Sequence, residues 1–146
     1  MKERPFHKQV TLHIADPAAI SAYGVDVPEI ARCLIEKYWP GPLTLVLRRG
    51  DGSTVGFRMP RHPVALALLA ESQVPVVAPS ANLSGNPPPR TAEEVLRDLA
   101  DKIDLVLDAG PTPGGVESTV LDLSGESPQV LRRGAMGAEI EKFIQK

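Results

Sequence analysis

Two strand-like runs flank a polar turn in the stretch Leu43-Thr-Leu-Val-Leu-Arg-Arg-Gly-Asp-Gly-Ser-Thr-Val-Gly-Phe-Arg-Met59. The runs, Leu43 to Leu47 and Thr54 to Met59, are rich in residues that favour strands, and the Gly-Asp-Gly segment between them is typical of a turn. Thr54 and Arg58 fall on one face of the second strand, because four residues are an even number of strand steps. The stretch therefore predicts a β-hairpin.

Upstream of the hairpin, the pattern predicts one strand and two helices. Gln9 to Ile14 alternates polar and apolar residues, with Val10, Leu12 and Ile14 on one face, as in a strand. Asp16-Pro17 is typical of a helix start and Gly24 of its end. Asp26 and Pro28 repeat the start signal, and a helical apolar stripe follows at Ile30, Ala31, Leu34, Ile35 and Tyr38.

Downstream, helices and short strands alternate. We expect a helix from Pro63 to about Leu69, a short buried strand at Val74 to Val77, and an ordered loop from Pro79 to Arg90. Thr91 to Glu94 forms a capping box that predicts a helix. Further strands are expected at Ile103–Leu107, Val116–Leu123 and Val130–Leu131, and a last helix at Ala138–Ile144. This mixture predicts an α/β (α+β) fold, an open twisted mixed sheet with flanking helices, in a single domain over residues 1–146.

Length and composition limit the class of protein. The chain has 146 residues, of which 42% are hydrophobic and 23% charged, values typical of one folded domain. Cys33 is the only cysteine, so no internal disulfide can form, and a core or partly buried thiol is favoured over a nucleophile. The longest apolar run, Val64 to Ala70, is too short to span a bilayer. We therefore expect a soluble, cytoplasmic protein without a membrane partner.

Charge is spread unevenly along the chain. Residues 1–62 carry nine Lys or Arg against six Asp or Glu, whereas residues 63–146 carry seven against twelve. A basic first half is compatible with an anionic ligand, although chance scatter over a solvated surface explains the same asymmetry. The overall net charge of −2 disfavours a protein that coats nucleic acid.

Motifs for metal or covalent chemistry are missing from the sequence. The three histidines do not form an HExxH or HxxxH pattern and the cysteine has no second thiol, so no protein-held metal is expected. The chain also has no GxSxG elbow and no glycine-rich phosphate loop. Trp39, in Trp-Pro-Gly-Pro, is interpreted as an aromatic plug in a rigid turn, with ligand stacking as the alternative.

Polar residues follow the ends of several predicted strands, where open α/β sheets commonly bind ligands. Singly, each is an ordinary surface group. Together they could form a cradle for phosphates and a carboxylate, because arginine matches both groups bidentately. Both readings are open from the residues alone. The set comprises Lys2, Arg4, Lys8, Thr54, Arg58, Ser80, Asn82, Ser118, Thr119 and Arg132.

Six ordered motifs resemble the YrdC-like family, which comprises the L-threonylcarbamoyladenylate synthases. The likeness covers nearly the whole chain, and the family's KxR and SxN signatures fall on Lys2/Arg4 and Ser80/Asn82. The motifs are Lys2-Glu-Arg-Pro-Phe-His-Lys-Gln-Val-Thr-Leu-His13, Lys37-Tyr-Trp-Pro-Gly-Pro-Leu-Thr-Leu-Val-Leu47, Thr54-Val-Gly-Phe-Arg-Met-Pro60, Ala78-Pro-Ser-Ala-Asn-Leu-Ser-Gly85, Gly115-Val-Glu-Ser-Thr-Val120 and Leu131-Arg-Arg-Gly-Ala135.

The resemblance implies a function and a set of site residues on a concave ligand-binding face. L-threonine, bicarbonate and ATP would give threonylcarbamoyl-AMP and pyrophosphate, a precursor for tRNA modification, with magnesium on the ATP phosphates. Lys2, Arg4, Ser80 and Asn82 would be catalytic. The ATP contacts implied are Arg4, Lys8, Thr54, Ser80 and Arg132; the threonine contacts are His13, Arg58, the backbone of Ala78, and Ser118. Downstream tRNA-modification proteins would receive the product.

The sequence departs from the family pattern at several places. The family normally has a further segment before the KxR signature, with a Pro-Thr-Glu-Thr-like strand, so we expect this chain to be N-terminally incomplete relative to the family. Gln9 and Arg133 stand where the family usually has proline. Two other functions therefore stay open: a non-catalytic module that binds nucleotide or RNA, and carbamoyl transfer to a different acceptor.

Overall fold

The computed structural model describes residues 10–83, 85–113 and 115–145. Within these ranges the chain forms two compact units. The sheet unit consists of residues 10–78 and 116–145, and the loop unit of residues 79–115. The expectation of a single domain over residues 1–146 stays a prediction.

The sheet unit contains a mixed sheet of six strands in the order β4-β1-β3-β2-β5-β6. The pairs β1–β3 and β2–β5 are parallel, and the other three pairs are antiparallel. The hairpin predicted from the sequence is confirmed, with Thr44 opposite Arg58 and Arg48 opposite Thr54. The strands are β1 (Thr11–His13), β2 (Leu43–Arg48), β3 (Thr54–Arg58), β4 (Val76–Val77), β5 (Thr119–Asp122) and β6 (Gln129–Arg132).

One short helix of the sheet unit begins and ends at the capping residues that the sequence indicates. Asp16 accepts a hydrogen bond from Ala18 N at the start of a 3₁₀ helix (Pro17–Tyr23), which ends at left-handed Gly24. The longer helices are α1 (Glu29–Tyr38), α2 (Pro63–Glu71) and α4 (Gly137–Ile144). Among the described residues, no helix is long and apolar enough to cross a bilayer.

One face of the sheet forms the hydrophobic core. Leu12, Phe57, Leu45 and Leu121 are successive partners across β1, β3, β2 and β5, and all are nearly or fully buried. Alternate residues of β2 and β3 contribute to the same core, as strand geometry requires: Leu43, Leu45 and Leu47 in β2, and Val55 and Phe57 in β3. The helical residues that pack into this core are Ile20, Ala31, Leu34, Tyr38 and Ile140.

The described residues of the loop unit include one helix, α3 (Ala92–Leu99). The predicted capping box is confirmed at Thr91, whose side chain accepts a hydrogen bond of 3.2 Å from Glu94 N. The strand predicted at Ile103–Leu107 is wrong: these residues form no strand, and Leu105 and Leu107 are largely exposed. Their alternation is strand-like, but no described strand lies alongside to pair with their backbone groups.

Strand lengths and burial also differ from the sequence prediction. The strand expected at Gln9–Ile14 is limited among the described residues to Thr11–His13, and Val10 is exposed whereas Leu12 and Ile14 are buried. The strand expected at Val74–Val77 is only Val76–Val77 and is not buried, because it lies at the edge of the sheet. Thr119–Asp122 likewise replaces the longer span Val116–Leu123.

The core face should dominate the stability of the sheet unit. We expect Leu45→Ala to lower the free energy of unfolding by about 2–5 kcal/mol, because a fully buried leucine would leave a cavity. Leu68→Ala is the matched control, because Leu68 is about half exposed on α2 and its loss should cost less than about 0.5 kcal/mol. Urea titration of both variants measures the difference; equal losses would contradict this assignment of the core.

Candidate functional site

Polar side chains form a row across the face of the sheet opposite the core. His13 lies opposite Arg58, Arg58 opposite Thr44, Thr44 opposite Val120, and Val120 opposite Arg132. Directly paired residues project from the same face of a sheet, so these side chains share one face. We call His13, Arg58, Thr44, Ser118 and Arg132 the polar row, because Ser118 lies two residues before Val120 and so has the same orientation.

An irregularity between β5 and β6 places Arg132 in the polar row. Leu121 lies opposite Val130 but Val120 lies opposite Arg132, so Leu131 is an extra residue in β6. Such a bulge changes the side to which the following residue points. Without it, Arg132 would project from the same face as Val130, towards the core.

Ser118 joins the row through its hydroxyl and its carbonyl. Ser118 Oγ lies 2.9 Å from Thr44 Oγ1 and accepts a hydrogen bond of 3.0 Å from Arg132 Nη2. Arg132 Nε also donates to the Ser118 carbonyl at 3.0 Å, and Arg132 Nη1 lies 3.2 Å from the Glu117 carboxylate. Three contacts, two to Ser118 and one to Glu117, thus hold the Arg132 guanidinium in place.

The segment after β6 packs tightly against the start of β5. Thr119 Oγ1 accepts hydrogen bonds from Gly134 N and Met136 N, at 3.2 and 3.1 Å, and Ala135 N donates to the Glu117 carbonyl. Thr119 is fully buried. A Cβ atom at Gly134 would overlap the carbonyl groups of Glu117 and Ser118, so this close approach requires glycine.

The electrostatics of the row would favour a bound anion. Burial lowers the pKa of His13, the positive charge of Arg58 lowers it further, and the backbone of Thr11 raises it in part. Burial, and then the charge of Arg132, lower the pKa of Arg58. His13 Nδ1 and Arg58 Nε are buried and have no hydrogen-bond partner among the described residues. A carboxylate or phosphate here would provide acceptors for the arginine and reduce the repulsion between the two guanidinium groups.

Four of the residues that the sequence predicted for the site come together in this row: His13, Arg58, Ser118 and Arg132. Thr54 projects from the same face as Arg58, as predicted, but at the opposite end of β3. Ala78 follows β4 directly and is exposed. Lys2, Arg4 and Lys8 lie outside the described residues.

Ser80 and Asn82 belong to the loop unit, where Asp98 of α3 holds the loop that carries them. Asp98 accepts hydrogen bonds from Leu83 N at 3.0 Å and from Asn86 Nδ2 at 2.9 and 3.1 Å. These hydrogen bonds lower the pKa of Asp98. Asn82 Nδ2 in turn donates to the Asn86 carbonyl. The SxN loop is therefore ordered by its own helix.

Trp39 is a structural plug rather than an exposed stacking platform in the described structure. Its ring is buried in the core, and Nε1 donates a hydrogen bond of 2.8 Å to the Leu43 carbonyl. Gly41 N donates to the Met59 carbonyl and Pro42 O accepts from Thr119 N. The Trp-Pro-Gly-Pro turn thereby fixes where β2 begins, and with it the position of Thr44.

Sequence reasoning missed Thr44, Glu117 and Asp98. Thr44 carried a usable signal, because it is the one polar residue in the run Leu43 to Leu47 and stands opposite Arg58 once the hairpin is paired. Glu117 and Asp98 gave no local signal, because each acts on residues that are distant along the chain. Among the described residues, no three His, Cys, Asp or Glu side chains group as metal ligands.

Comparison with known proteins places this geometry in a family. A family model described as Sua5/YciO/YrdC, "Telomere recombination", matches residues 1–134. The chain belongs to the Sua5/YciO/YrdC family. It is 42% identical to threonylcarbamoyl-AMP synthase of Pyrococcus abyssi and 45% identical to that of Bacillus subtilis, with 98% of this chain covered in both cases. It spans about half of these relatives, 45% and 44% of their lengths.

Solved structures of the Sua5/YciO/YrdC family confirm the fold. The crystal structure of P. abyssi Sua5 complexed with L-threonine matches with a TM-score of 0.89 at 42% identity, over 98% of this chain and 45% of that one. Escherichia coli YciO matches with a TM-score of 0.80 at 28% identity, over 92% of this chain and 69% of that one. The expected α/β class with a mixed open sheet is thus confirmed.

Gly134 allows a test of the contact between the segment after β6 and the start of β5. We expect Gly134→Ala to lower the free energy of unfolding by about 1–3 kcal/mol, because the new methyl group meets rigid backbone. Gly125→Ala is the matched control on the other side of β6, where a Cβ atom meets nothing within 4 Å. Thermal unfolding compares the two variants; an equally stable Gly134→Ala variant would refute the close approach.

His13 should make stability depend on pH. Its folded-state pKa lies below the ordinary value of 6.5, so the unfolded chain takes up the proton first as the pH falls. The stability that neutral His13 contributes is complete above about pH 6.5 and is lost as the pH falls towards the folded-state pKa. Relative to His13→Gln, the wild type should therefore lose free energy of unfolding between about pH 7 and pH 5. Urea titrations at both pH values give the free energy of unfolding of each protein, and an equal change with pH in the wild type and in His13→Gln would contradict this.

Proposed function

We propose that this chain provides the core of a threonylcarbamoyl-AMP synthase, which forms threonylcarbamoyl-AMP and pyrophosphate from L-threonine, bicarbonate and ATP. The observation that carries the proposal is the polar row, with its buried donors and two neighbouring arginines on one sheet face. Family membership supports it, because relatives 42–45% identical bear this name and one of their structures contains L-threonine.

The carboxylate of L-threonine suits the donors of the polar row. Arg58 Nε is a buried donor that has no acceptor among the described residues, and Ser118 offers a hydroxyl. His13, on the other side of Arg58, is favoured in its neutral form and adds no third positive charge at neutral pH. Carboxylate oxygens accept hydrogen bonds from all of these donor types. The backbone of Ala78 would add a further contact.

The product dictates which bonds form. Its threonine nitrogen is bonded to a carbonyl carbon, which is linked through oxygen to the α-phosphorus of AMP. The amine must therefore attack the carbon of bicarbonate, with loss of water, and an oxygen of the resulting carbamate must attack the α-phosphorus of ATP. The second step breaks the bond to the β,γ-diphosphate, which leaves as pyrophosphate. Alignment and stabilisation of dispersed negative charge suffice for such a step, without a covalent nucleophile.

ATP would be held by Arg4, Lys8, Thr54, Ser80 and Arg132, and the KxR and SxN residues Lys2, Arg4, Ser80 and Asn82 would stabilise the reacting anions. Arg132 is already oriented by Ser118 and Glu117, which reduces the entropy lost when it binds an anion. Magnesium would be carried on the phosphates. The Glu117 carboxylate is engaged with Arg132 and is not proposed as a metal ligand.

The product would serve tRNA modification and pass to downstream tRNA-modification proteins in the cytoplasm. One alternative function is that the chain binds RNA without catalysing a reaction. Another is carbamoyl transfer to an acceptor other than threonine. A gel shift with RNA that is lost at high salt and unaffected by threonine would favour the RNA-binding alternative. Replacing threonine by other amines in the assay below tests the other acceptors.

The experiment is a pyrophosphate-release assay on the protein at its full encoded length, with ATP, magnesium, bicarbonate and L-threonine. Release should need both threonine and bicarbonate, and mass spectrometry should find threonylcarbamoyl-AMP in equal amount. A folded protein that binds ATP but releases no pyrophosphate under these conditions would refute the proposed reaction.

Variants of Arg58 test whether the polar row binds L-threonine. We expect Arg58→Ala to weaken L-threonine binding about 10- to 100-fold, because it removes a charge-assisted donor from a half-buried site. Arg58→Lys should recover only part of the affinity, since lysine keeps the charge but not the planar fork. Arg61→Ala, an exposed arginine three residues on, is the control and should bind as the wild type does. Calorimetric titration measures all three; unaltered binding by Arg58→Ala would count against the site.

A further inference from the structure

Thr44 lies in the middle of the polar row but is not among the proposed ligand contacts. Its Oγ1 atom is 2.9 Å from Ser118 Oγ, and both residues are almost fully buried. Thr44 also stands directly opposite Arg58 in the hairpin. The hydroxyl pair thus lies between the two arginines of the row, Arg58 on one side and Arg132 on the other.

The protons of this pair can be counted. The Arg132 guanidinium can only donate, so Ser118 Oγ is the acceptor in their 3.0 Å hydrogen bond. One further proton lies between Ser118 and Thr44. If Ser118 supplies it, Ser118 has no proton left for a ligand, and the Thr44 proton is the one without an acceptor among the described residues. If Thr44 supplies it, Ser118 accepts twice and its own proton is the one that a ligand can accept. The proposed contact between Ser118 and L-threonine selects the second arrangement.

We propose that Thr44 is a positioning residue, which donates to Ser118 Oγ and so holds the Ser118 hydroxyl as a hydrogen-bond donor to the carboxylate of L-threonine. The inference rests on the proposed function, in which Ser118 contacts threonine. Together with Arg58 Nε, this arrangement presents donors to the ligand. Groups that accept at every lone pair, such as a carboxylate, match that set, whereas amides and hydroxyls match it in part.

The test compares Thr44→Val with Thr44→Ser in calorimetric titrations with L-threonine. Thr44→Val keeps the branched shape but removes the hydroxyl, and we expect about tenfold weaker binding. Thr44→Ser keeps the hydroxyl and should restore binding to near the wild-type affinity. Ser118→Ala should lose as much as Thr44→Val, and the double variant should lose no more than either, because the two residues act through one hydrogen bond to the ligand.

Three results would overturn the proposal: wild-type affinity in Thr44→Val, equal loss in Thr44→Ser, or additive losses in the double variant. Urea unfolding of each variant separates loss of the fold from loss of the hydroxyl, and Thr44→Ala, which also removes the hydroxyl, takes the place of Thr44→Val if that variant does not fold. Loss of binding in Arg58→Ala but not in Thr44→Val would leave the proposed function standing and remove only this inference. A wild-type protein that does not bind L-threonine would remove both.

Discussion

The alternation of Phe57 and Arg58 on β3 is the constraint on which the rest of the sheet unit depends. Phe57 is fully buried in the core, so its neighbour must project from the opposite face. Because β3 pairs with β1 on one side and β2 on the other, this single alternation also orients Leu12 and His13, and Leu45 and Thr44. A slip of one residue would put Arg58 into the core, where an unpaired charge is prohibitive. Core and site are thus fixed by the same register.

The far end of the row depends on a different device. β5 continues the register of β2, but β6 reaches the row only because Leu131 is an extra residue. The segment after β6 is then held against the start of β5 by Thr119 Oγ1 and by the close approach at Gly134. The Glu117-Ser-Thr and Arg-Arg-Gly-Ala motifs, distant along the chain, are therefore two halves of one contact. Their residue types are explained by packing and hydrogen bonding before any ligand is considered.

Local patterns in the sequence predicted what local physics determines. The hairpin, the caps at Asp16 and Thr91, and the shared face of Thr54 and Arg58 all follow from spacing within a few residues. The strand expected at Ile103–Leu107 was wrong. The alternation of polar and apolar residues suits a strand, but it does not show whether another strand lies alongside to pair with it. The bulge at Leu131 was not predictable, since simple alternation puts Arg132 with Val130. Spacing along the sequence did not show that His13, Arg58, Ser118 and Arg132 lie side by side. That depends on the order of the strands in the sheet, which is set by contacts between distant parts of the chain.

The balance of charge in the polar row explains why an anion suits it. Arg132 has Glu117 as a partially exposed counter-ion, but Arg58 has lost hydration to burial and faces the charge of Arg132. A structural role alone would favour replacing such a residue by a neutral one, because desolvation and like-charge repulsion both act against the folded state. The cost is offset when a bound anion supplies acceptors to Arg58 and attraction to both guanidinium groups. Ligand binding and stability are then linked, because whatever binds only the folded chain shifts the folding equilibrium towards it.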